Sequence, residues 1–455
     1  MSTPPSTTPC FHAQSPAVNV RGVHLDLKGL APTFDRLMAL LDHFAAMRFN
    51  AVLIEWEDMF PWHFDESLRS ADCYSDKQVT QIVQRCDALG LSLIPLIQSL
   101  GHLENVLKRD TYGHMREVKS RTDCLNPLAE GAGEIIRAMI DDVLGAMPGV
   151  RWFHLGGDEA WVFGSHPDTA AYIQKHGAAA LYCRHLNPLL DHLADHGIRP
   201  ILWHDMMMEW DEADLRAIGQ KCDLMVWGYR GTPDDRQHHH RRETLDRLAA
   251  SGVPMWGSSA YKGADGPYRD LPDAEARRVN HVGWADAAQH YGMVGVVSTG
   301  WSRYAFSRVQ VEPIDACLRE LAMVAILFHE GEWPAEGWAA CDTLLQRLGE
   351  FESTIKLRDQ LAVLEETRNE AWQRARQLKE HLAGLMVEPG RGDGGMAAFL
   401  FQHFEPWVDR VETLSRELGP MLEPLVGPHS AKAYARTWAT ALRAEADDLR
   451  GRIGR

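Results

Sequence analysis

Arg151-Trp-Phe-His-Leu-Gly-Gly-Asp-Glu-Ala-Trp161 is the stretch on which the reading of this chain turns. Its short apolar run, ending at His154, reads as a buried strand. Gly156 and Gly157 read as the strand's end, where backbone bends or approaches a ligand closely. Asp158 and Glu159 then sit side by side at the mouth of a sheet or barrel, next to Trp161. That is equipment for acid/base chemistry on a ring-shaped substrate. The bland alternative is an Asp that caps the next helix. Taken alone, the stretch does not choose between them.

The same rhythm of strand, loop and amphipathic helix recurs on both sides of it. Strand-like runs occupy Asn19–Asp26, Ala51–Trp56, Leu91–Ile97, Val150–Leu155, Arg199–Trp203, Leu224–Trp227, Val253–Ser258 and Val294–Thr299. Helical patterns stand between them at Thr33–Arg48, Asp76–Leu89, Gly133–Ala146 and Glu275–Tyr291, and Pro313–Phe328 closes the last unit. Gly90, Gly197 and Gly252 come just before strands, where helix C-caps belong. Short apolar strands alternating with helices imply a parallel sheet. Eight such units predict an α/β fold, a (β/α)₈ TIM barrel, with a doubly wound sheet as the lesser option. The barrel is expected over residues 18–330, behind a disordered Ser/Thr/Pro-rich tail at 1–17. A helical C-terminal region is expected over 331–455. Within it, Trp338–Met386 reads as one long helix, Pro389–Gly395 as a break, and Met396–Glu417 and His429–Arg452 as further helices.

With 455 residues, 45% hydrophobic and 24% charged, the chain can bury a large core. Its formal net charge of -16 argues against a nucleic-acid partner or an anionic membrane surface, which both call for basic patches. The eight cysteines form no C-x-x-C pair, so thiols in a reducing compartment are expected over a disulfide framework. No signal-peptide pattern opens the chain and no apolar run is long enough to span a bilayer. A cytoplasmic location is the default, and the C-terminal helices permit a homodimer without demanding one.

Active sites of these barrels lie at the C-terminal ends of the strands. The residues expected there are His24, Asp26 and Lys28; Glu55-Trp-Glu-Asp58; Gln98 through His102 to Glu104; Asp158 and Glu159; Trp203-His-Asp205; Trp227-Gly-Tyr229; Trp256 and Tyr261; and Trp301. Four tryptophans recurring after successive strands suit a sugar, whose axial C–H faces stack on indole while its hydroxyls bond carboxylates and Arg forks. A rival reading has His24, Asp26, His102, His154, His204 and Asp205 ligating a metal for hydrolysis, but no tight pair such as H-x-H occurs among them. The run His238-His-His240 in a polar loop reads as solvated surface.

Two carboxylates that flank a glycosidic bond normally approach it from opposite sides, about 5 Å apart or more. Asp158 and Glu159 leave one strand together, so they suit a scheme in which the substrate's own 2-acetamido oxygen is the nucleophile.

His154-Leu-Gly-Gly-Asp-Glu159 resembles the H-x-G-G-D-E motif of glycoside hydrolase family 20, the β-N-acetylhexosaminidases. The likeness extends over roughly Arg21 to Tyr304. Val23-His-Leu-Asp-Leu-Lys-Gly29, Glu55-Trp-Glu-Asp-Met-Phe-Pro61, Gly101-His102, Leu125-Asn-Pro127 and Thr299-Gly-Trp-Ser-Arg-Tyr304 look most like its hexosaminidase D branch. The resemblance implies that Glu159 is the general acid and then base, and that Asp158 orients the acetamido group. It implies that Arg21 grips the sugar's O3 and O4, and that Asp58 and His102 form a supporting relay. Asp26 and Asp205 join the substrate-binding set, and Trp203, Trp227, Trp256 and Trp301 wall the pocket. Of the two tyrosines that could donate to the acetamido oxygen, Tyr229 is preferred over Tyr261. The chain departs from the family pattern in two ways. Too few residues precede Arg21 for the usual small β-domain. Trp301-Ser-Arg303 also replaces Trp-Gly-Glu, which leaves the gluco/galacto preference open. The expectation is a retaining exo-β-N-acetylhexosaminidase acting on a terminal GalNAc or GlcNAc of a glycan, with no metal or cofactor. Its alternatives are a metal-dependent barrel hydrolase and a carbohydrate-binding barrel without turnover.

Overall fold

A computed structural model of the protein describes residues 11–235, 240–266, 269–303, 311–387 and 394–453. Eight parallel strands close into a barrel in sequence order: β1 Val20–Asp26, β2 Ala51–Glu55, β3 Ser92–Leu96, β4 Trp152–His154, β5 Arg199–Trp203, β6 Asp223–Trp227, β7 Met255–Lys262 and β8 Gly295–Gly300. Closure comes from β1 pairing with β8 from Val20↔Gly295 to Val23↔Ser298. Seven of the expected strands match to within about two residues at each end. β7 runs four residues further than expected, because Ser259, Ala260 and Lys262 pair with β8 through an irregularity between Ala260 and Lys262. The polar Gly257-Ser-Ser259 hid that continuation.

Strand alternation divides the core in two. Ala51, Leu53, Ile94, Leu96, Ile201, Met225 and Val297 fill the barrel with Trp152, Trp203 and Trp256. Val23, Leu25, Val52 and Ile54 face the helices. The helix Asp76–Leu89 begins with a capping box of Ser75 and Gln78 and stops at Gly90, whose φ of 69° only glycine adopts freely.

Beyond the barrel lie Trp338–Leu348, Phe351–Val387 and Gly394–Ile453, the last broken at Gly427 (φ 79°, ψ 160°). The single helix expected over Trp338–Met386 is two, because Gly349 turns left-handed at φ 74°. Most of the expected break Pro389–Gly395 lies outside the described residues. A largely buried cluster ties these helices to the barrel. Tyr434 Oη donates to Asp270 Oδ1 at 2.6 Å, Arg368 pairs with Asp270, and Asp270 N donates to Glu365 Oε2 at 2.7 Å.

The tail expected to be disordered is tied down from Phe11, whereas residues 1–10 lie outside the described set. His12 N and Ala13 N donate to Glu330, Ala17 N donates to His329 O, and Phe11 packs edge-on against His329. His238 and His239 also lie outside the described residues. His240, expected to be solvated, is buried and stacks on Trp284 at 5.2 Å. Seven cysteines are free thiols, and Cys10 is not described. Among the described residues no helix is long and apolar enough to cross a membrane.

Candidate active site

The end of β4 is shaped by close approaches. Gly156 and Gly157 take φ of 59° and 83°, and Glu159 itself sits at 46°, a region that costs a side-chain-bearing residue free energy. A Cβ on Gly156 would come within 2.0 Å of Gln98 Oε1, and one on Gly157 within 2.5 Å of Tyr182 Oη. Tyr182 Oη donates to Gly157 O at 3.0 Å, and Asp205 Oδ2 accepts from Glu159 N at 2.9 Å. Backbone and neighbours together turn Asp158 and Glu159 toward one cavity.

That cavity, of about 320 Å³, is lined by Asp158, Glu159, His102, Glu104, Trp227, Tyr229, Trp301, Lys28 and Arg303, with Gly263, Ala264 and Val311. His102 Nε2 lies 3.5 Å from Asp158 Oδ2 and 3.3 Å from Glu159 Oε2. Burial opposes protonation of this imidazole, but the charge of Asp158 and bonds to both acids hold it well above its ordinary range. Tyr229 stacks on Trp227 at 5.3 Å and stands 6.2 Å from Trp301. Burial, with Asp158 nearby, keeps its phenol well above the usual value and therefore a donor. Of the residues expected at the mouth, Asp158, Glu159, His102, Glu104, Tyr229, Trp227, Trp301 and Lys28 line the pocket.

Asp205 lies just behind them. It accepts from Glu159 N through one oxygen and from Trp227 Nε1 through the other at 3.0 Å. It is a positioning group, not a cavity wall. Burial and the charge of Asp158 push its carboxyl up to about 7.

The other expected residues sit elsewhere. Arg21 opens β1 at the opposite end of the barrel, where its guanidinium donates to the carbonyls of Val18, Asn19 and Arg48, each at 2.9 Å. The cation that β1 brings to the cavity is Lys28, two residues past the strand. Asp26 does not face the cavity. Its carboxylate accepts from Lys28 N at 2.9 Å and Ser302 N at 2.8 Å, pinning the end of β1 to the chain after β8. Trp256 is the second residue of β7, so it lies low in the barrel. There its indole donates to Asp223 at 3.0 Å and its ring meets Trp152 edge-on. Trp203 is fully buried beneath the cavity, against His154 at 4.4 Å and Trp301 at 6.3 Å. Tyr261 falls on the outward face of β7. It crosses behind Gly300 and donates to His24 O at 3.1 Å. Asp58 does not relay to His102. It lines an adjoining cavity of about 500 Å³ together with Arg303 and residues Gly427–Ser430 at the break in the last helix. Burial raises its carboxyl against the pull of Arg303 and Lys108.

A buried charge network under the cavity went unassigned in the sequence. Lys28 Nζ donates to Glu55 Oε1 at 2.8 Å and lies 3.6 Å from Glu57 and 3.7 Å from Asp26. Gln98 Nε2 donates to Glu55 at 2.9 Å. Burial works against the Glu55 charge, but Lys28 and His24 hold the carboxyl well below its usual value. Burial pushes Glu57 well above it, with Lys28 opposing and Glu55, Asp26 and Glu104 adding to the rise. Two acids two residues apart are thus driven in opposite directions, a pattern of functional sites. The spacing Glu55-Trp-Glu57 after a strand was the signal available.

His102, Asp158 and Glu159 also offer three ligand atoms within 4.8 Å of one another. The ligand set of the rival metal reading is not assembled among the described residues: His24 and His154 are fully buried inside the barrel.

The catalytic-domain model of glycosyl hydrolase family 20 matches residues 19–246. Hexosaminidase D of Bos taurus is 32% identical over 325 residues, covering 69% of this chain and 93% of the bovine protein. Hexosaminidase D of Homo sapiens is 31% identical over 351 residues, covering 75% of this chain and 71% of the human one. The solved chitobiase of Flavobacterium johnsoniae superposes with a TM-score of 0.56 at 15% identity, over 96% of this chain and 73% of that one. A β-N-acetylhexosaminidase from Bacteroides fragilis gives 0.55 at 16% identity, over 74% and 72%. These two structural likenesses concern the fold. The barrel, the paired acids at the end of its fourth strand and the curated relatives agree: the chain belongs to glycosyl hydrolase family 20 and is a glycoside hydrolase.

Proposed function

We propose that the protein is a retaining, exo-acting β-N-acetylhexosaminidase that removes a terminal β-linked GlcNAc or GalNAc by substrate-assisted catalysis. One observation carries this reading: a single imidazole, His102, lies within 3.5 Å of both Asp158 and Glu159. Two acids on one side of the sugar leave the attack on the anomeric carbon to the substrate's acetamido oxygen. Glu159 gives its proton to the leaving oxygen as the C1–O bond breaks. The acetamido oxygen bonds C1, forming a cyclic oxazolinium. Asp158 accepts the acetamido N–H and offsets the charge that develops, while Tyr229 donates to the acetamido oxygen and aligns it. Water then attacks C1, Glu159 takes its proton, and the ring opens with the original anomeric configuration. Trp227 and Trp301 give the sugar apolar walls.

Release of nitrophenol from aryl β-GlcNAc, β-GalNAc and β-glucoside tests this directly. Glu159→Gln should lower turnover of a substrate with a poor leaving group by roughly 10²–10⁴-fold. The plain glucoside should be nearly inert. Rapid glucoside hydrolysis, or turnover abolished by a chelator, would refute the mechanism.

A further inference from the structure

Trp161 is the one described tryptophan left open to solvent, at 69% exposed. The other tryptophans are buried or half-buried. An isolated exposed aromatic can be incidental, but the loop that carries this one is not loose. Trp161 N donates to Glu159 O at 2.7 Å, Phe163 N to Ala160 O at 2.9 Å and Ser165 N to Val162 O at 3.0 Å. Ala160 is buried, and Phe163 turns inward against Tyr182, the residue that also holds Gly157. The turn ends at His166, whose N–H is fixed to Glu117 at 2.9 Å. Its apolar side chains face in, and the largest of all faces out. An indole held on a fixed turn needs little further ordering to bind a flat partner.

Its position relative to the acid gives the partner. Glu159 meets the glycosidic oxygen, so the leaving group departs on the Glu159 side. Trp161 lies two residues further along the same turn. Lys28, Tyr229, Trp301 and Arg303, from other strands, wall the cavity that takes the terminal sugar. Trp161 does not line it.

We infer that Trp161 is the platform for the leaving group, stacking the apolar face of a second pyranose ring as the acid protonates the bond between the two. The inference rests on the hydrolase reading above and narrows its substrate class to glycans whose terminal N-acetylhexosamine is attached to another sugar ring. Binding energy collected there, away from the reacting bond, would raise kcat/KM for such glycans over simple glycosides.

The test compares two substrates that share the terminal sugar: the methyl β-glycoside and a β-linked disaccharide. In Trp161→Ala the ratio of kcat/KM for disaccharide over methyl glycoside should fall about 10-fold, and Trp161→Tyr should restore most of it. A ratio equal to that of the unaltered protein would overturn the inference. If the unaltered protein cleaved neither substrate, the hydrolase reading itself would fail first, and this one with it.

Discussion

Asp205 shows how one carboxylate governs two functional groups at once. Both of its oxygens are occupied as acceptors, one by the Glu159 backbone and one by the Trp227 indole. Protonation puts a hydrogen on one of these oxygens and weakens it as an acceptor. Burial and Asp158 nevertheless push the group up to about 7, so both bonds reach full strength only toward neutral and higher pH. The linkage has a definite sign. The folded-state value lies above the roughly 3.9 of an unfolded aspartate, so the folded chain binds the extra proton between those two values. The contribution of Asp205 to stability is full below about pH 4 and is lost as pH rises toward 7. Activity should run the opposite way. In Asp205→Asn, which mimics the protonated state, kcat/KM should drop about 10-fold or more and the ionisation near neutrality should vanish from its pH profile. A profile that keeps its acid limb would assign that limb to another group. At this scale the sequence disclosed residue types better than directions. Asp158, Glu159, His102 and Tyr229 were legible from motif and position. Arg21, Trp256 and Tyr261 were misplaced because a side chain's face depends on strand phase, and its depth on how far it stands from the strand's end.

Backbone meets backbone closely where the loop after β3 passes the loop after β4. A Cβ on Gly101 would come within 2.0 Å of the Asp158 carbonyl oxygen. Here the neighbour is backbone, which cannot swing aside as a side-chain tip can. Gly101→Ala should therefore push Asp158 out of line. We expect a loss of about 1–3 kcal/mol in stability by urea titration, and a fall in kcat well beyond that of an alanine placed at the open Gly133. An unchanged kcat would mean that the two loops yield without disturbing the acid. The same contact explains why Gly101-His102 belongs with the Asp-Glu motif, although some fifty residues separate them in the chain. The boundaries of strands were readable wherever apolar residues ran up to a glycine or a turn. They failed at β7, where pairing with β8 carries a polar, glycine-containing segment that has no strand pattern of its own.

For the whole molecule, the repeating rhythm of strand and helix was enough to foresee a closed barrel. It could not foresee how the C-terminal helices dock, because docking depends on buried polar contacts between segments far apart in sequence. Asp270, in the loop after β7, is held by Arg368 and Tyr434, which are fully or almost fully buried. The same loop begins with Gly263 and Ala264 at the cavity wall. Asp270→Ala takes the carboxylate away from a buried guanidinium, and the unfolding free energy should fall by about 3–5 kcal/mol. A loss under about 1 kcal/mol would mark the pair as energetically equivalent to a surface bridge.

The seam between β1 and β8 has a consequence for how activity arises. Lys28 reaches the cavity from just beyond the first strand, Trp301 and Arg303 from just beyond the last, and Asp26 clasps the two ends through Ser302 N. These walls belong to opposite ends of the barrel's chain and meet only when the ring shuts, after the longest loop-closure step the fold contains. Turnover is therefore a reporter of completed assembly: a molecule with its first six strands in place and the seam still open has the acids but no chamber to use them in.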